Sequence, residues 1–175
     1  MNSMSNMIEN REVMMVDSSR FEIAKDYFNK AYKLQVEGKI DEAIYNYRIS
    51  IDLYPTAEAH TFLGWAYSML GKYDDAIDEC HIAIEIDEDY GNPYNDIGSY
   101  LVTLERYDEA ISWFEKAINA PRYLPRHFPY YNLGKIYEKK GNWYKALEYY
   151  NDTIKIDPDY EPAKKAFIKI TTLLN

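Results

Sequence analysis

Three histidines, one cysteine and a dense set of carboxylates are the residues of this 175-residue chain best equipped for chemistry. His60, His81 and His127 are scattered, and no close His, Cys or acid spacing makes a metal site. The run Asp87-Glu88-Asp89-Tyr90-Gly91 starts like a calcium loop, but Gly98 falls where the closing glutamate belongs. Asp74, Asp75, Asp78 and Glu79 crowd one short stretch, and that pattern reads as a solvated helix face, not an acid–base pair. There is no GxxxxGK[ST] loop, and no strand pattern to carry a GxGxxG turn. Neither an enzyme nor a cofactor or metal site is expected.

The elements around these residues repeat. Ala57–Tyr90, AEAHTFLGWAYSMLGKYDDAIDECHIAIEIDEDY, reads as two helices folded back on each other, and the pattern recurs at 24–56, 91–126 and 127–160. Its central turns fall at Gly38, Gly71, Glu105 and Gly141, spaced 33, 34 and 36 residues apart. A period of that size, built of two helical segments, marks a helical solenoid. First helices are expected at roughly 23–37, 57–70, 91–104 and 127–140, and second helices at roughly 40–53, 73–86, 107–119 and 143–156. One column of the first helices is small throughout (Ala31, Gly64, Gly98, Gly134), as are two of the second (Ala43, Ala76, Ala110, Ala146 and Ser50, Ala83, Ala117, Thr153). A mid-helix glycine costs about 1 kcal/mol against alanine, so its recurrence predicts close passage of another backbone, small facing small. Cys80 shares a column with Tyr47, Phe114 and Tyr150 and is expected to be a buried small hydrophobe.

Composition narrows the function classes. A net charge of −9 excludes general nucleic-acid binding, which needs a basic surface. A lone cysteine forms no intrachain disulfide, which fits a reducing compartment and a cytoplasmic location. Residues 1–20 lack the charge and apolar run of a secretory signal, and no stretch reaches membrane-span length. Residues 1–22 read as a tail or a short helix, with Ile8, Val13, Met14, Met15 and Val16 placed to cover the first repeat. The connection 120–126, APRYLPR, gains two residues and is expected to stand out as a solvated loop. Residues 161–175 place Ala163, Ala166, Phe167, Ile170 and Leu174 on one face, as a final helix closing the stack and completing the chain there.

The residues LGWAY…GKYDDAI at 63–77, IGSYL…ERYDEAI at 97–111 and LGKIY…GNWYKAL at 133–147 resemble the tetratricopeptide-repeat family, over about four-fifths of the chain. Departures are Lys30 in the column of Leu63, Ile97 and Leu133, Glu105 at a turn glycine, and Glu88 where Pro55 and Pro158 keep a closing proline. The resemblance implies an all-α, right-handed superhelical solenoid of about four helix-turn-helix repeats with a C-terminal capping helix. It also implies a non-enzymatic module that binds a peptide or protein segment in a concave groove lined by first helices. Carried onto this chain, the groove residues are Phe28, Tyr32, Thr61, Trp65, Met69, Asn92, Asn95, Ser99, Tyr131, Lys135 and Lys139. The family's clamp for a C-terminal carboxylate would fall on Phe28, Tyr32, Phe62, Asn92 and Asp96, or one repeat later on Thr61, Trp65, Asp96, Phe128 and Asn132. Neither set carries the cations. The expected partner instead has apolar and acidic residues. The competing reading is a scaffold that self-assembles into a homo-oligomer through repeat faces or the N-terminal segment.

Overall fold

A computed structural model describes the backbone of residues 2–174 and the side chains of residues 17–174. Its helices are α1 (Asn2–Val36), α2 (Ile40–Leu53), α3 (Ala57–Met69), α4 (Tyr73–Ile86), α5 (Asn92–Thr103), α6 (Tyr107–Asn119), α7 (His127–Lys139), α8 (Trp143–Ile156) and α9 (Glu161–Leu174). No strand occurs among the described residues beyond one isolated bridge, Tyr90 with Arg122. The chain divides into two compact units, residues 1–79 and 80–175.

Helix α1 runs unbroken from Asn2, where the sequence predicts a tail or short helix over 1–22. Neither Gly nor Pro occurs between residues 2 and 36, so nothing in the chain interrupts the helix. The side chains of Ile8 to Val16, expected to cover the first repeat, lie outside the described residues.

Each hairpin turn places one residue in the left-handed region. Gly38, Gly71 and Gly141 have φ of 80°, 74° and 74°, and Glu105 takes the same conformation at φ 60°. Only glycine does so without a Cβ penalty. Glu105 is held there by the tertiary hairpin of α5 and α6, not by its own preference.

In the first unit, α2 packs on α1 and α3 packs on α2. Ser50 Oγ donates to the Ala24 carbonyl at 2.7 Å, and the buried Tyr47 hydroxyl donates to Gln35 Oε1 at 2.8 Å. Both polar groups are thus satisfied as they enter the core. Thr56 caps α3 by accepting from the Ala59 amide, and the buried His60 ring bonds Glu79 at 2.7 Å.

In the second unit the small first-helix column serves aromatic rings. A Cβ added to Gly98 would lie 2.7 Å from Phe114 Cε1, and one added to Gly134 would lie 2.6 Å from Tyr150 Cε1. The expectation of small facing small is not met there: each glycine makes room for a fully buried ring, because Phe114 and Tyr150 lean across their hairpins. Cys80 itself is fully buried, as its column predicts.

The 120–126 connection is not merely solvated. Arg122 exchanges backbone bonds with the turn before α5: its amide donates to the Asp89 carbonyl at 3.0 Å, and its carbonyl accepts from Gly91 at 2.9 Å. Asp87 accepts from the Arg122 guanidinium and from the Asp89 amide, which accounts for the first acid of the calcium-like run. Tyr123 and Ala120 are buried, and a Cβ on Gly91 would clash with the Tyr123 side chain. Leu124 remains exposed.

Helix α9 packs on α8, burying Ala163 and Ile170 in a cluster with Tyr131, Tyr150 and Phe167. Its outer side is mixed: Lys165 and Lys169 are exposed, but so are Ile168 (63%) and Leu173 (67%).

Candidate functional site

The predicted binding residues are placed differently along the first helices of the two units. In the first unit, α1 and α3 present Tyr32, Trp65 and Met69 at 46%, 41% and 48% exposure, with Phe28 half-buried beside them. Their spacing in sequence follows the helical period, so successive turns bring them to one side. Phe62 organises them. Its ring lies 5.2 Å from Phe28, 5.7 Å from Tyr32 and 5.8 Å from Trp65, each near edge-to-face, the arrangement that aromatic quadrupoles favour. In the sequence Phe62 falls on a carboxylate-clamp position but not among the expected groove residues. The signal available was its place next to Thr61 and three residues, about one helical turn, before Trp65. Met69 is tied in by Gln35 Nε2, which donates to its sulfur at 3.5 Å.

Thr61 does not join this face. It is 3% exposed, and its hydroxyl donates to the Ala57 carbonyl at 2.7 Å. A helical threonine satisfies its hydroxyl this way whenever the preceding turn is in reach, so Thr61 belongs to the packing of α3.

In the second unit Asn92, Asn95 and Ser99 follow one another along α5, all half-buried. Ser99 Oγ donates to the Asn95 carbonyl at 3.0 Å. The Asn95 amide donates to Asp96 at 3.4 Å, while its Oδ1 is buried without a partner. On α7, Tyr131 is half-buried between Tyr150 (5.8 Å) and Tyr160 (5.1 Å). Lys135 is exposed, its ammonium 5.6 Å from the Tyr131 ring centre. A shallow cleft of about 170 Å³, lined by Val102, Tyr107, Asn132 and Ile136, brings Lys135 and Lys139 together.

Asp96 is the chemically unusual residue of this face. Burial pushes its carboxyl up to about 7, against the opposing hydrogen bond from Asn95. A carboxyl more easily protonated in the folded chain than in the unfolded one makes the folded chain bind more protons between about pH 4 and 7, so stability falls as pH rises through that window. Asp96→Asn removes the ionisable group and keeps the amide contact. Discounted for partial exposure, the variant's gain over the parent is expected to be near zero at pH 4 and about 2 kcal/mol at pH 8. Denaturant titrations of both proteins across that range measure it; parallel pH profiles would show that Asp96 ionises freely.

The other titratable candidates have structural partners. His127 is buried, with Nδ1 3.3 Å from Asp157 and its ring against Phe128 and Tyr160. Glu138 is drawn upward by burial, but hydrogen bonds from Lys169 and Tyr150 outweigh that and hold it below the usual carboxylate range.

Tetratricopeptide-repeat models match residues 57–90, 92–122 and 128–160, more than half of the chain. The chain belongs to the tetratricopeptide-repeat family. An uncharacterized protein, ycf37, of Guillardia theta is 38% identical over 103 residues, 55% of this chain and 56% of that one. Small glutamine-rich tetratricopeptide repeat-containing protein 2 of Mycosarcoma maydis is 31% identical over 103 residues, 58% of this chain and 28% of that one. This chain thus spans about half, or less, of these curated relatives' length. Among solved structures, MamA protein matches with a TM-score of 0.70 at 27% identity, over 85% of this chain and 81% of that one. The pilF structure of Pseudomonas aeruginosa matches with a TM-score of 0.81 at 20% identity, over 87% and 69%, and speaks to the fold alone. Tetratricopeptide repeats are in general non-enzymatic interaction modules, and the repeats of this chain are of that type. Among the described residues no helix is long and apolar enough to cross a membrane.

Proposed function

We propose that this tetratricopeptide-repeat protein binds an extended or helical segment of a partner protein on its first-helix faces. The observation that carries the reading is the aromatic cluster of the first unit, where Tyr32, Trp65 and Met69 stand exposed around the Phe62 hub. Adjacent exposed apolar side chains mark a surface that another molecule covers. On the second unit, Lys135 and Lys139 favour acidic residues in that partner, which the −9 chain otherwise repels. The buried lone thiol is in keeping with work in the cytoplasm, which imaging of the tagged protein in its own cell tests.

Titration of a partner recovered from the native cell tests the faces. Trp65→Ala should weaken binding by about 2 kcal/mol or more, because a packed tryptophan anchor dominates such interfaces. Lys135→Ala should slow association and flatten its salt dependence with little change in dissociation. Folded variants that both bind like the parent would move the site elsewhere.

Self-assembly is the second reading, favoured by Ile168 and Leu173 left exposed on α9. A mass in solution that rises with concentration supports it, and a constant monomer mass rejects it.

A further inference from the structure

The second unit carries a depression of about 660 Å³ built on α6, the end of α4 and the start of α5. None of the first-helix residues assigned above to partner binding lines it. Its floor is aromatic: the rings of Trp113 and Tyr94 are half-buried with centres 6.0 Å apart. Two contacts hold the floor rigid. The Tyr94 hydroxyl donates to the Glu88 carbonyl at 3.0 Å, and the His81 ring packs edge-on against Trp113 at 5.3 Å. Its rim is acidic: Glu88, Asp89 and Glu115 are all exposed there, against the single ammonium of Lys116.

The Lys116 ammonium, one helical turn beyond Trp113, lies on that floor. Lys116 Nζ sits 3.9 Å over the Trp113 ring, a close cation–π distance, and makes no ion pair among the described residues. The chain's own cation has settled on the ring face, with three carboxylates around it that it does not neutralise. Burial, then the Glu88 and Asp89 charges, hold the Tyr94 phenol above its usual range. Ile84, Ala120 and Pro121 supply an apolar wall, along which the aliphatic stem of a long basic side chain can lie while its head stays at the rim.

We propose that this pocket takes an arginine or lysine side chain of a partner protein, the cation lying against the Trp113 ring and Lys116 serving as its displaceable stand-in. The surplus of carboxylates excludes an acidic segment, and the aromatic floor selects a cation over a neutral polar group. Displacing Lys116 exposes the ring and removes the one charge that repels the incoming head. The site is separate from the first-helix faces, so a partner could engage both or either.

The test uses the full chain and a probe peptide, acetyl-Gly-Arg-Gly-Lys-Gly-amide, followed through the Trp113 indole N–H by NMR. Saturable binding is expected, with at least a ten-fold loss in Trp113→Leu and about a five-fold gain in Lys116→Met, which keeps the stem and removes the charge. Equal binding to the parent and to a folded Trp113→Leu would show attraction by the net charge alone and overturn the proposal. So would a Lys116→Met protein that binds no more tightly than the parent, and that measurement decides the matter should Trp113→Leu fail to fold. Preference for the matching glutamate peptide would overturn it as well.

Discussion

Gly98→Leu is expected to lower the unfolding free energy by about 3 kcal/mol or more, the upper range for forcing extra carbons into a packed core. Leucine favours the helix over glycine by about 1 kcal/mol, so propensity works against the loss and cannot cause it. The steric effect wins because the first added atom already fails to fit. A Cβ at Gly98 lies 2.7 Å from Cε1 and 2.9 Å from Cδ1 and Cζ of Phe114. Phe114 is fully buried, so its ring has nowhere to turn. The remaining outlet is to part α5 from α6, which opens the hairpin. Gly134→Leu should behave alike against Tyr150, whose Cε1 is 2.6 Å from the added atom. The denaturant midpoint measures both, and a midpoint unchanged or raised at Gly98 would sink the packing argument. Leucine at Gly64, buried on α3 in the same column, is expected to be destabilising too.

Deleting residues 161–175 is expected to cost about 5 kcal/mol, since loss of a single buried isoleucine side chain already costs about 2–5 kcal/mol. The deletion takes away Ile170 and Ala163, both fully buried, and opens the cluster they form with Ala146 and Tyr150, against which Leu147, Ile154 and Tyr131 pack. It also removes Lys169, whose ammonium donates to Glu138 Oε1 at 2.8 Å while the Tyr150 hydroxyl donates to Oε2 at 2.7 Å. A carboxylate left with half its partners in a partly buried position adds to the loss. Because the stripped face of α8 is aromatic and aliphatic, the truncated chain should also aggregate on heating. Scanning calorimetry and light scattering report the two effects. A truncated protein that melts with the parent and stays monomeric would show that α9 does not cover the stack.

Much of this architecture is legible in single columns of residues. The expected second helices at 107–119 and 143–156 coincide with α6 and α8, because their apolar periodicity and the turns before them agree. Local sequence even marks the left-handed turn at Glu105, through its alignment with Gly38, Gly71 and Gly141. An unbroken α1 was also open to reading, since residues 2–36 hold neither glycine nor proline.

Other features depend on what lies across space. Thr61 and Trp65 both fall on the first-helix face that the family resemblance turns inward, yet Thr61 is buried and Trp65 is exposed. The spacing cannot separate them, because burial depends on which neighbour covers each position. Tyr123 reads as part of a loop with two prolines, and only the backbone pairing of Arg122 with Asp89 and Gly91 draws it inward. Asp96 is one acid among 29 acidic residues until the packing around α5 removes water from its carboxyl. Periodicity and turn chemistry are properties of neighbours along the chain, so most of the helices and their repeat follow from the order of residues alone. The desolvation of Asp96 and the ring contacts of Phe62 with Phe28 and Tyr32 arise between residues far apart in sequence or between packed helices, so they follow only from the folded chain.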